Sequence, residues 1–158
     1  MKFHIPELEK RIQLKLLSKK RHSVFPYTIY NYTNECAFKS KNWDYYTRHA
    51  RGLILDVEGN VIAIPFKKFF NINEHEETLF ANIPTEIPEI SEKLDGSMGI
   101  GFLGSDNRYY ISTRGSFDSE QSKVATEIIN KNYPNIENRI NRNYTYLFEI
   151  IYPENAIV

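Results

Sequence analysis

The chain has 158 residues, of which 41% are apolar, enough for one domain with a packed core and too apolar for wholesale disorder. Lys plus Arg and Asp plus Glu both total 20, and this zero net charge excludes a strongly basic nucleic-acid footprint, although a neutral protein can still hold a locally basic groove. The single cysteine, Cys36, excludes an intramolecular disulfide and a cysteine-based zinc site; with no signal-peptide core in "MKFHIPELEKR" and no membrane-length apolar run, a cytoplasmic protein with no membrane partner is expected.

In chain order, Leu8, Ile12 and Leu16 recur every four residues and predict a helix over 6–21. The basic triplet Lys19, Lys20 and Arg21 then reads as a solvated helix end. "SVFPYTIYNYT" is rich in β-formers and predicts a strand entered after Pro26. "RGLILDVEGNVIAIPF" predicts a hairpin, two apolar runs about Glu58, Gly59 and Asn60. "PEISEKLDGSMGIGFL" predicts a strand, a glycine turn and a second strand, and "GSDNR" turns the chain into "YYISTRG". "DSEQSKVATEIINKNY" predicts a helix capped by Asp118 or Ser119, with Val124, Ala125, Ile128 and Ile129 on its buried side. "YTYLFEIIYPENAIV" predicts a last strand that meets Pro153. Strands joined mostly by hairpins, with a few flanking helices, define an α+β fold built on antiparallel sheet.

"SEKLDGSMG" sets one lysine, Lys93, before an Asp-Gly turn. A lysine amine attacks only when unprotonated, which at pH 7 is about one molecule in a few thousand. Neighbouring cations, a metal or desolvation would lower its pKa, and Arg51, Lys67, Lys68 and Arg114 all lie beside predicted strand ends. Gly96 permits close backbone approach, and Ser97 offers a hydroxyl and an N–H to phosphate oxygens. Alone, Lys-x-Asp-Gly is a weak motif and reads as an ordinary hairpin turn. His4, His22, His49 and His75 lack metal-ligand spacing, and residues 74–77 read as a solvated acidic loop.

Several blocks in order change the weight of that turn. "YNYTNECAF", "WDYYTRHARGLILD", "PFKKFFNINE", "EKLDGS", "STRGSF" and "YLFEIIYPEN" together resemble the bacteriophage-type RNA ligase 1 family, associated with tRNA repair. In that family "EKLDGS" corresponds to motif I, "STRGSF" to motif Ia and "YLFEIIYPEN" to motif III of the ATP-dependent nucleotidyltransferases. The resemblance implies that Lys93 attacks the α-phosphorus of ATP, expels pyrophosphate and carries AMP as a phosphoramidate. It implies that Asp95 and Gly96 shape the nucleotide pocket and that Arg51 contacts phosphate. Lys68 and Phe70 would lie beside the nucleotide, Phe70 against the base. Arg114 would contact sugar or phosphate, and Glu149 the ribose or a metal-bound water. AMP would then pass to an RNA 5′-phosphate and a 3′-hydroxyl would seal the break, with Mg²⁺ dispersing charge in each transfer.

The resemblance stops after motif III. The motif IV glutamate, the motif V lysines and an RNA-specificity domain have no counterpart, and Ala156 stands where the family pattern has arginine. The expectation is a partial adenylyltransferase domain over 1–158, incomplete at its C-terminus, that ligates weakly or not at all by itself. A longer parent, a natural short form and a second polypeptide completing the site all fit. A non-catalytic nucleotide- or RNA-binding module is the rival reading. A DNA ligase or an RNA capping guanylyltransferase would share the lysine chemistry.

Overall fold

Pro6 sits in the first turn of α1 (Ile5–Gln13), where a missing N–H costs nothing, and Leu8 is fully buried beneath the helix. The helix is shorter than its periodicity suggests. Lys15 takes a left-handed φ of +59° and turns the chain into β1 (Leu17–Arg21), which runs antiparallel to β2 (Tyr27–Tyr32). Pairing with β2 thus overrides local helix propensity, and the basic triplet lies on an exposed edge strand rather than a helix end. Lys19 pairs with Glu9, and Lys20 pairs with Asp118. The computed structural model describes residues 1–38 and 42–153; Ala156 lies outside the described residues.

Two short helices absent from the sequence reading follow. They are α2 (Asn34–Ala37), capped by Thr33, and α3 (Tyr45–His49), capped reciprocally by Asp44 and Thr47. Asp44 also accepts from Arg11 Nε at 2.7 Å, and Arg11 pairs in turn with Glu7. Burial alone would raise the Asp44 pKa, but hydrogen bonds from Arg11 and the Thr47 N–H outweigh it and hold the carboxyl below its usual range. A lowered carboxylate contributes stability above its unfolded pKa and loses it as pH falls through the folded value. Thermal melts taken downward from about pH 4 should therefore show a progressive loss, and Asp44→Asn should show a smaller one.

The predicted hairpin is present as β3 (Arg51–Asp56) and β4 (Val61–Ala63). The Asp56 carboxylate accepts from the Glu58 and Asn60 N–H groups and closes its turn. The next predicted hairpin appears as β5 (Ser97–Leu103) and β6 (Tyr109–Thr113). α4 (Glu120–Asn132) is capped by Ser119 and buries Ser122, Ala125 and Ile129; Ile128 is instead 43% exposed, because the 122/125/129 row meets β6. β7 (Leu147–Ile150) is a shorter strand than expected. Residues 84–96, which include the strand expected from Pro88 to the glycine turn, have no regular structure and lie exposed up to Asp95. Pro84 and Pro88 remove two ladder donors from that segment.

The antiparallel strands divide into two sheets, ordered β1-β2-β3-β4 and β6-β5-β7. Side-chain alternation explains the layering. Leu53 and Leu55 of β3 pack under α1 with Phe3, Leu8 and Leu17, whereas Ile54 faces the other way with Ile29, Ala63, Ile100 and Phe102. A third cluster seals α4 onto the second sheet through Tyr109, Ile111, Ala125, Ile129 and Ile150. No described helix is long and apolar enough to cross a membrane.

Candidate functional site

Lys93 lies four residues before β5, and its side chain is 84% exposed. Its ammonium pairs with the Asp95 carboxylate. That hydrogen bond raises the lysine pKa above its usual value, and the nearby Glu149 adds to the effect. The shift is opposite to the one a lysine nucleophile needs. Gly96 has a local reason to be glycine: a Cβ there would stand 2.5 Å from the Ile150 carbonyl oxygen, so the turn lies directly on the end of β7.

Glu149 pairs across the ladder with Met98, and directly opposed residues share a sheet face. Phe148 and Ile150 pack on the α4 side, while Leu147 packs with the inter-sheet cluster. Glu149 therefore turns to the inter-sheet face, where it stays exposed. The structure thus brings Lys93, Asp95 and Glu149 together at the head of the β5–β7 ladder.

Next to that cluster a cleft of about 430 Å³ opens between the sheets, lined by Asn31, Arg51, Ser97, Met98, Thr113 and Arg114 among others. Arg51 begins β3 and donates to Met98 Sδ at 3.8 Å; its guanidinium lies 5.2 Å from the Phe69 ring centroid. Arg114 follows β6, donates to the Tyr32 hydroxyl at 3.1 Å and lies 5.1 Å from that ring's centroid. Among the described residues neither guanidinium has a carboxylate partner. Asn31 Oδ1 in the cleft wall is buried with no hydrogen-bond partner among the described residues. Gly52 brings the two arginines to one cleft. It takes φ +93°, and a Cβ there would stand 2.2 Å from Ile100 Cδ1 and 3.3 Å from Arg114 Cα.

Lys68 and Phe70 sit in a neighbouring aromatic cluster and do not line the cleft. Lys68 Nζ donates to the Phe69 carbonyl at 2.5 Å and lies 4.5 Å from the Phe70 centroid. Phe70 is only 9% exposed and stacks on His75 at 4.3 Å, with Trp43 edge-on at 5.7 Å. Phe69, the alternate side chain, is 61% exposed. Arg48 holds the cluster together by donating to the Lys68 carbonyl and pairing with Glu77 of the acidic loop. Asn31, Arg48 and Gly52 carry no signature in sequence, because their importance arises from neighbours distant along the chain.

Antiparallel sheets with flanking helices, a Lys-x-Asp-Gly turn at the head of a strand and a cleft between the sheets define a small α+β domain of nucleotidyltransferase type. A sequence model of the family described as RNA ligase matches residues 49–158, and the chain belongs to that family. It is also similar to a protein of Thermovibrio ammonificans described as "Putative RNA ligase", at 30% identity over 115 residues. That match covers 70% of this chain and 30% of the relative, so the chain spans under a third of the relative's length.

Proposed function

We propose that this chain carries the nucleotide-activating site of an ATP-dependent RNA ligase, as part of an adenylyltransferase domain. The observation that carries the reading is the pair of guanidiniums, Arg51 and Arg114, resting on aromatic rings in one cleft without carboxylate partners. Cations held this way keep their charge available to an incoming anion. Ser97, at the cleft floor, follows directly from the lysine turn. In this reading the neutral Lys93 amine attacks the α-phosphorus of ATP. A nitrogen–phosphorus bond forms, the bond to pyrophosphate breaks and the amine proton leaves to solvent. Arg51 and Arg114 hold phosphate oxygens, and the Asn31 oxygen accepts from a ribose hydroxyl. Lys68 and Phe70 back the nucleotide side of the site.

Magnesium ions take few protein carboxylates and complete their shell with water and phosphate oxygens. Asp95 and Glu149, exposed beside Lys93, fit that donor set. When bound, the ion supplies charge neutralisation at the triphosphate. The second half of the family reaction, transfer of AMP to an RNA 5′-phosphate and sealing by a 3′-hydroxyl, is proposed for the complete ligase, with broken tRNA as one substrate.

The Lys93–Asp95 pair makes a specific prediction. Asp95 holds the ammonium, so lysyl-AMP formation should climb with pH as that proton is lost. Asp95→Asn keeps an acceptor oxygen but removes the negative charge that favours the ammonium, and should move the rising limb toward lower pH. The check is the rate of AMP incorporation against pH, each variant scaled to its own plateau; a limb that stays put would free Lys93 from Asp95's control. The same ion pair favours one other reading, a nucleotide- or RNA-binding module that makes no covalent bond. Its mark would be bound AMP that is lost on denaturation.

A further inference from the structure

At its start, the strap between β4 and the lysine turn exposes a pair of large rings three residues apart. Phe66 is 68% exposed and Phe69 61%, with the exposed Lys67 between them. Neither ring lines the cleft between the sheets. One face of Phe69 carries the Arg51 guanidinium, which itself reaches into that cleft. Exposed rings interleaved with cations suit neither a core nor an ordinary solvated loop, and they match the chemistry of a single-stranded nucleic acid, whose bases offer π faces and whose phosphates offer charge. A nucleotide bound as a small molecule would instead bury most of its surface in a concavity. Phe70 cannot serve in the same way, since His75 covers its face.

We propose that Phe66, Lys67 and Phe69 form a docking strip for single-stranded RNA. The two rings stack bases, and Lys67 holds the phosphate between them. The strip leads the strand toward the cleft through Arg51. The choice of RNA as the polymer rests on the ligase reading; the stacking itself rests on the exposed rings.

The test is fluorescence anisotropy with a 5′-phosphorylated, 3′-labelled oligoribonucleotide of about ten nucleotides, the size of a short single-strand site. Loss of a stacked base should weaken binding about five- to a hundredfold in Phe66→Ala and in Phe69→Ala, and Phe69→Trp should retain it. Lys67→Ala should flatten the slope of log affinity against log salt by about 0.7. The same RNA annealed to its complement hides its base faces, and its affinity should not respond to Phe69→Ala. Unchanged single-strand affinity in Phe69→Ala, or no binding by the wild type, overturns the proposal. So does a Phe69→Ala variant that binds RNA normally but no longer gains AMP, which would place the ring on the cofactor. Phe69-dependent RNA binding in a wild-type chain that never gains AMP would reject the catalytic reading and leave the docking strip standing.

Discussion

Incubated with ATP and Mg²⁺ and then denatured, the wild-type chain should gain the mass of one AMP, and Lys93→Ala should gain none. The loss should be essentially complete, because no other group replaces a covalent nucleophile. Lys93→Arg should fail equally. It keeps the positive charge beside Asp95, but a guanidinium does not deprotonate in a protein. With its side chain 84% exposed, Lys93 contributes little to packing, so neither variant should unfold the chain, and unchanged melting curves would separate chemistry from stability. AMP retained by Lys93→Ala would place the nucleophile elsewhere. AMP absent from the wild type after denaturation, but bound before it, would leave a binding module.

Gly52→Ala should be the most damaging single substitution for the cleft. The residue holds φ +93°, a region that costs an L side chain about 1–2 kcal/mol. Its new Cβ would also stand 2.2 Å from Ile100 Cδ1, in a contact between the two sheets. Forcing that contact apart adds about 1–3 kcal/mol. Together they predict about 2–5 kcal/mol of lost stability, seen as a Tm lower by roughly 5–15 °C. Arg114 Cα lies against the same position, so the substitution should also separate the two arginines and weaken ATP binding even well below the new Tm. An alanine variant with wild-type Tm and wild-type ATP affinity would refute this account of the cleft.

Much of the fold could be read from local pattern. The β3–β4 and β5–β6 hairpins carry alternation and turn residues within one short window, and α4 carries its own cap. β1 could not be read this way. "LSKKR" has no strand signal of its own and becomes a strand because β2 offers it an edge. The strand expected before Gly96 fails for the converse reason. A strand exists only with a partner, and none of the described strands pairs with residues 84–96.

Site residues divide in the same way. Lys93, Asp95, Glu149, Arg51 and Arg114 were named from the order of motifs, and the structure gathers them into two adjoining groups. Phe70 was the ring named for the base, yet it is the packed one of the pair, and Phe69 beside it is the exposed one. What no local window could show is that His75, Trp43 and Arg48 surround Phe70, while Gly52 clamps the arginines together.

The order of strands in the two sheets carries a consequence for how the molecule assembles. In the first sheet every strand pairs with the next one along the chain, so its loops close over short distances and it can form early. The second sheet places β7 beside β5, and that pairing must wait for α4 and the chain that follows it. Lys93 and Asp95 precede β5, yet Glu149 comes from β7. The arginine that opens β3 is thus held by a sheet of near neighbours in sequence, whereas the surroundings of the lysine are completed only when β7 pairs.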